Sequence, residues 1–439
     1  MNMSEDRTAA SRDCQATSGA WNGLRIVWTI PSLTGGGAEK VLADLASRCA
    51  EQGAVTTIIT LDRAASADAA TDHPATGIPW PVHPAVRVRG LGLQADSVGL
   101  IAAVRNNLQR VDALRTALQS EQPHLVVSFL DQMNCLTLLA SLGERWPVVI
   151  SERVHPQFHP LGRVWRLLRR LIYPTCTRLV VQTESIRQYC QRYVRADQLR
   201  VIPNGISLPV PSAPLTAEEE QPDEPSRGPV VPEPHLHPVR MVAVGRLSAQ
   251  KGFDRLLAAL AMISQQGQQH WSLDLYGDGP ECSQLEQQIR DLGLQDRVQL
   301  KGWCPQPFRT EPRYHLLVMT SRYEGFPNVI LEAFAHETPV IAFDCPGGPR
   351  DLITPGSNGE LIPEGDVAGL ATAVKAALQN PERLSIQGAQ AQRTAANYDA
   401  DRVWQRWADL IGELVSTGSS ADRSQHPPGD VDPSQTEAS

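Results

Sequence analysis

The sequence predicts an α/β protein built of two doubly wound, parallel-sheet domains that face each other across a cleft. Three observations carry this. Short apolar runs alternate with helix-patterned segments from Leu24 onward, the alternation stops across a proline-rich and acidic stretch at 207–238, and it resumes with the same rhythm from residue 239. LRIVWTI (24–30), VTTIITL (55–61), LVVSFL (125–130), VVIS (148–151) and RLVVQT (178–183) read as buried strands of the first domain. Near-continuous apolar strands separated by helices imply a parallel sheet covered on both faces. MVAVG (241–245), SLDLYG (272–277), RVQLKG (297–302), HLLVMTS (315–321) and PVIAFD (339–344) repeat the pattern in the second.

The chain divides into a polar tail (1–22), a first domain (23–206), a linker or loop (207–238) with the acidic run Glu218-Glu219-Glu220, a second domain (239–397), a helix (398–417) and a Ser/Pro/Asp-rich tail (418–439). Both tails read as disordered. The helix carries Val403, Trp407, Leu410, Ile411 and Leu414 on one stripe. Two readings stay open for it: docking on the second domain, or crossing back to the first.

With 439 residues, each domain can bury a sizeable core. A net charge of −8 argues against a nucleic-acid partner without excluding a local basic face. The eight cysteines form no C-x-x-C pair, which fits reduced thiols better than a disulfide frame or a zinc site. No apolar run approaches the roughly 20 residues of a membrane-spanning helix, and the N-terminus lacks a signal-peptide core. The expected location is the cytosol.

In open α/β sheets, ligands lie beyond the carboxyl ends of the strands, and the candidate motifs fall there. GRLSAQKG (245–252) follows a strand and opens a helix. Its Arg246 and Lys251 form a cation pair suited to a diphosphate; taken alone, they read better as solvated surface charges. In YGDGP (276–280), Gly277 lets backbone approach a ligand closely. In EGFPNVILE (324–332), Pro327 suits the first turn of a helix whose free N–H groups favour anions. Glu324 precedes that helix and Glu332 lies farther along it, so one carboxylate can reach a sugar and the other a ribose diol.

Together with PGGPRDLI (346–353), these motifs resemble the donor half of the family 4 glycosyltransferases, which have the GT-B fold of two Rossmann-like domains and retain anomeric configuration. The resemblance spans about Leu24 to Leu414. It implies that Gly245, Arg246, Lys251, Gly277, Phe326, Pro327, Asn328, Val329 and Glu332 bind a nucleotide-sugar donor. Glu332 would grip the ribose, Arg246 and Lys251 the diphosphate, and Glu324 the transferred sugar, with Arg246, Lys251 and Glu324 forming the catalytic set. It also implies that the last helix crosses back, and that neither metal nor other cofactor is needed.

In the first domain, Gly35, Gly36 and Gly37 precede a helix, where acceptor or donor phosphates can approach its N-terminus. A dinucleotide fingerprint is not completed there, and no acidic residue ends the next strand cleanly, Leu61-Asp62 coming closest. The segment ISERVHP (150–156) resembles the branch that builds polysaccharide repeat units and lipid-linked oligosaccharides. Glu152 and His155 are its candidate catalytic residues, and a plain loop histidine is an equal alternative.

Between Arg153 and Thr183 stand six arginines. LGRVWRLLRRLIY (161–173) sets Arg163, Arg166, Arg169 and Arg170 against an apolar stripe of Leu161, Val164, Trp165, Leu168, Leu171 and Ile172. Such a helix reads either as a contact for an anionic membrane surface or lipid diphosphate, or as a core helix with a solvated basic face. The overall expectation is transfer of a sugar from a UDP-linked donor to a hydroxyl of a glycan or lipid-linked glycan acceptor. A nucleotide-sugar epimerase or hydrolase, and a non-catalytic sugar-nucleotide binder, are the alternatives.

Overall fold

The computed structural model describes residues 21–34, 36–62, 80–93, 100–158, 161–208, 238–268, 270–309 and 313–423. Gly35, most of the linker and residues 1–20 and 424–439 of the tails lie outside the described residues, while residues 418–423, expected in the C-terminal tail, continue the last helix.

The first sheet contains β1 (Arg25–Ile30), β2 (Val55–Thr60), β3 (Arg87–Gly90), β4 (Leu125–Phe129), β5 (Val148–Ser151), β6 (Arg178–Val181) and β7 (Leu199–Val201). They run parallel in the order β3-β2-β1-β4-β5-β6-β7. The helices are α1 (Gly37–Glu51), α2 (Leu100–Glu121), α3 (Asp131–Ala140), α4 (Arg163–Ile172) and α5 (Glu184–Cys190). The central strands are buried along their length because both faces are covered: Val127 and Phe129 face one apolar cluster, Val126 faces another.

The second sheet contains β8 (Val239–Val244), β9 (Trp271–Tyr276), β10 (Val298–Gly302), β11 (Leu316–Met319), β12 (Val340–Asp344) and β13 (Gly359–Pro363). Its order is β10-β9-β8-β11-β12-β13, again parallel. Around it lie α6 (Phe253–Gln265), α7 (Cys282–Asp291), α8 (Asn328–Ala335), α9 (Pro349–Leu352), α10 (Val367–Leu378) and α11 (Pro381–Ala395). Strand order reverses between β1 and β4 and between β8 and β11. Each reversal opens a crevice at the strand ends.

The final helix, α12 (Ala400–Arg423), returns to the first domain. Val403, Trp407, Leu410, Ile411 and Leu414 are buried in that domain's core. The Trp407 ring lies 6.3 Å from Trp28 and 6.1 Å from Phe129. Burying each such side chain stabilises the arrangement by about 1.5–3 kcal/mol. The two chain crossings between domains are bonded to each other: Ile206 N–H donates to the Tyr398 carbonyl and Ala400 N–H to the Ile206 carbonyl, both at 2.9 Å. No helix among the described residues is long and apolar enough to cross a membrane.

Candidate active site

On the second-domain side, three loops converge at the carboxyl ends of β8, β9 and β11. Gly277, at φ 147°, lies so close to the loop after β8 that a Cβ would stand 1.9 Å from the Gly245 carbonyl oxygen. Leu247 N–H donates to the Asp278 carbonyl at 2.9 Å and ties the two loops together. Lys251, in a single helical turn before α6, reaches the loop after β11: its Nζ stands 2.6 Å from Glu324 Oε1. The Ser321 hydroxyl donates to the same oxygen at 2.6 Å, and Glu324 N–H donates to the Pro346 carbonyl at 2.8 Å. The structure therefore joins two residues that the sequence reading kept in separate roles. A lysine ammonium carries three donors, so Lys251 keeps others while Glu324 fixes its direction.

Helix α8 buries Ile330, Leu331, Ala333 and Phe334 and leaves Asn328, Val329 and Glu332 partly accessible. Phe326 is buried before it, 6.2 Å from the Tyr398 ring, and Pro327 caps it. Burial pushes the Glu332 carboxyl above its ordinary value, against the charges of Lys40, His336 and Lys251. Arg246 is exposed and forms no ion pair among the described residues. Across the cleft from it is Glu39, in the first turn of α1. Burial raises the Glu39 carboxyl, opposed by its own backbone hydrogen bond and by the Arg246 charge.

The two domains touch where the N-termini of α1 and α8 approach. A Cβ on Gly37 would stand 3.0 Å from the Asn328 amide nitrogen. A Cβ on Gly325 would stand 2.0 Å from the Arg153 carbonyl oxygen, so the EGFPN loop can seat on the first domain only with glycine there. Two helix N-termini directed into one cleft form an environment favourable to anions. Gly37 belongs to this seam and Gly36 is the N-cap of α1; Gly35 is outside the described residues.

The first-domain candidates flank the Arg153–Val154 segment that meets Gly325 but are themselves buried. Glu152 is buried, accepts a hydrogen bond from the Tyr173 hydroxyl at 2.5 Å and lies 3.4 Å from Arg169 Nε. His155 is buried between Phe158 and Tyr189, with ring centroids 4.9 and 5.3 Å away, and burial lowers its pKa. Both are engaged in the interior of the first domain.

The basic helix differs from its sequence reading. Arg163, Arg166 and Arg170 are exposed, but Arg169 is only 2% exposed and is removed from any surface face. It bridges two acids, Glu152 and Asp131, the latter 3.3 Å from its Nη2. The apolar stripe also divides. Leu161 and Ile172 are buried and Trp165 and Leu168 pack against the core, whereas Val164, Leu167 and Leu171 are 60–65% exposed beside the three surface arginines.

Sequence reasoning missed Asn204 and Gln182. Asn204 Oδ1 accepts from Arg153 Nη2 at 2.6 Å and from Gln182 Nε2 at 2.9 Å, and Asn204 Nδ2 donates to Asn328 Oδ1 at 2.5 Å. The available signal was an Asn between Pro203 and Gly205, just after the last strand of the domain.

Comparison with known proteins meets this geometry. Residues 36–205 match the model of the glycosyl transferase 4-like domain, and residues 233–394 match that of glycosyl transferases group 1. The chain belongs to the family 4 glycosyltransferases of GT-B fold. This glycosyltransferase is 32% identical over 286 residues to an exopolysaccharide phosphotransferase of Streptomyces coelicolor, covering 64% of the chain but 28% of that relative's length. It is 25% identical over 391 residues to the Campylobacter jejuni enzyme GalNAc-alpha-(1->4)-GalNAc-alpha-(1->3)-diNAcBac-PP-undecaprenol alpha-1,4-N-acetyl-D-galactosaminyltransferase, covering 89% of the chain and 99% of the relative. Among solved structures, Anabaena HepE in complex with UDP superposes with a TM-score of 0.66 at 19% identity, covering 89% of this chain and 100% of that one.

Proposed function

We propose that this glycosyltransferase moves a sugar from a UDP-linked donor to a hydroxyl of a glycan carried on a lipid diphosphate, with retention of anomeric configuration, in polysaccharide or glycolipid synthesis. The observation that carries the reading is the convergence of the N-termini of α1 and α8 on one cleft, flanked by Arg246, the Lys251–Glu324 pair and Glu332. Helix termini and cations suit a diphosphate, and in this reading the partly accessible Glu332 carboxylate accepts hydrogen bonds from a ribose diol. A neighbouring structure that holds UDP and a relative named for an undecaprenyl diphosphate substrate support the choice of donor and acceptor.

In the proposed reaction, the bond between the anomeric carbon and the diphosphate oxygen breaks while the acceptor hydroxyl oxygen bonds to that carbon. The acceptor proton passes to an oxygen of the leaving diphosphate. Arg246 and Lys251 stabilise the charge that grows there, and the helix N-termini add fixed dipoles. Glu324 aims Lys251 and contacts the sugar. Glu152 and His155 keep the acceptor-side loop in place. The chain's own groups serve these roles with no metal or cofactor.

The exposed arginines and aliphatics of α4 form a surface of the kind that settles on anionic lipid. Contact there would hold the enzyme on the inner face of the membrane, near a lipid-linked acceptor.

Thermal-shift screening against nucleotide sugars tests the donor class, since a ligand at 100 times its Kd stabilises by about 2.7 kcal/mol. Labelled donor is then incubated with and without extracted lipid-linked glycans. Label in the lipid fraction is the expected outcome. Turnover of donor alone would identify an epimerase or hydrolase, and binding without any turnover a non-catalytic protein.

A further inference from the structure

Four polar side chains, three from loops and one from a helix N-terminus, form a chain of hydrogen bonds across the cleft. Arg153 follows β5, Gln182 follows β6, Asn204 follows β7 just before the domain crossing at Ile206, and Asn328 opens α8. Chemistry fixes the direction of each bond. A guanidinium only donates, so the oxygen of Asn204 must face Arg153 Nη2, 2.6 Å away. Gln182 Nε2 donates to the same oxygen at 2.9 Å. The amide nitrogen of Asn204 is thereby turned to Asn328 and donates to its Oδ1 at 2.5 Å. With its oxygen occupied, Asn328 presents its NH2 to the cleft, against Gly37 in the first turn of α1.

The clamp is made at a cost. Arg153 is 6% exposed and has no carboxylate within ion-pair distance among the described residues. Its Nη1 reaches Ser151 Oγ at 3.4 Å, its guanidinium lies 4.5 Å from the Phe129 ring centre, and its Nε has no hydrogen-bond partner. A buried charge among neutral groups lowers stability, and a neutral apolar residue would fill this space without that penalty. What arginine supplies is a group that cannot accept, which leaves the Asn204 amide one orientation. The arrangement crosses the domain boundary at the seam where Gly325 seats on the Arg153 carbonyl, so it exists only with the domains together.

We infer that Arg153, Gln182 and Asn204 are positioning residues that turn the Asn328 amide so that its NH2 donates to a phosphate of the nucleotide donor between the N-termini of α1 and α8. This rests on the donor-site reading above. Its consequence is that the closed arrangement is the one competent to hold the diphosphate, which couples closure to donor binding.

Asn204→Asp tests the inference. It preserves shape, gives Arg153 a counter-charge and removes the NH2. The Asn328 amide then turns to donate to the introduced carboxylate and withdraws its NH2 from the cleft. Calorimetry with UDP, ADP and GDP, each paired with its nucleoside, identifies the diphosphate that wild type binds. Asn204→Asp is expected to bind that diphosphate about tenfold or more weakly, the loss of a hydrogen bond to a charged group. It should bind the nucleoside unchanged and melt no lower than wild type. A purely structural contact would give the opposite pattern, a lower melting temperature with unchanged affinity. Should Asn204→Asp fail to fold, Asn328→Asp decides: it keeps the bond from Asn204 but turns an anionic oxygen to the phosphate. Wild-type diphosphate affinity in the folded variant overturns the inference alone. Failure of wild type to bind any of the three diphosphates overturns both the inference and the donor reading.

Discussion

Lys251 and Glu324, 73 positions apart in the chain, form one ion pair with Nζ 2.6 Å from Oε1, and the Ser321 hydroxyl completes the shell of that oxygen. The pair makes the cation and the carboxylate proposed to contact the sugar a single unit, which changes what substitution of either one does.

Lys251→Ala is expected to strand the Glu324 carboxylate and lower stability by on the order of 3 kcal/mol, as for a broken buried pair. It should also lower kcat more than it weakens donor binding, because charge on the diphosphate is greatest as the bond breaks. Adding Glu324→Gln should restore stability but not kcat. Urea unfolding and steady-state kinetics of the single and double variants check this, and a single variant as stable as wild type would refute it. Arg246→Ala, at an exposed position, should lower kcat with little change in stability.

Glu332→Ala should weaken donor binding by about 1.5–3 kcal/mol, the range for a hydrogen bond to a charged group. Calorimetry with the donor measures it. Unchanged affinity would remove Glu332 from the site.

Burial holds the Glu332 pKa above its ordinary value. A carboxyl whose folded pKa is raised contributes stability that is fully present below its unfolded pKa and lost as pH rises through the folded value. Glu332→Gln removes that loss, so its melting temperature relative to wild type should climb as pH rises from about 4 toward neutrality. A difference independent of pH would show that the carboxyl is not held this way.

On α4, replacing Arg163, Arg166 and Arg170 by Glu should abolish flotation with anionic liposomes and activity on lipid-linked acceptors, while donor binding persists. Each basic residue near an anionic surface is worth about 1 kcal/mol and less as salt rises. Arg169→Gln should behave differently, lowering the melting temperature because Glu152 and Asp131 lose their shared cation. Wild type that shows no salt-sensitive liposome binding would rule out the membrane contact.

The strand–helix rhythm was legible because central parallel strands are buried on both faces and so are apolar throughout. The unread strands, β3, β7 and β13, lie at sheet edges, where Arg87, Arg89 and Glu360 interrupt the apolar pattern. EGFPNVILE and GRLSAQKG were legible as motifs, but not the bond between Lys251 and Glu324, because tertiary pairing leaves no local trace. Arg169 was misplaced for a related reason. In a helix of alternating arginines and leucines, periodicity does not say which arginine faces inward, and the acids that hold it lie on other elements. Asn204 was passed over because an Asn before Gly reads as a turn residue.

The return of α12 affects how the chain is made. Domains generally fold in the order in which they are synthesised. Here Trp407, Leu410 and Leu414 complete a core whose other members begin at Ile26. While the chain emerges from the ribosome, the N-terminal half therefore waits with an open apolar face until the whole second domain and α12 have been made. The second domain, whose strands and helices all lie in one uninterrupted segment, can close first. A truncation just before α12 should accordingly leave the second domain able to fold and the first exposed to aggregation.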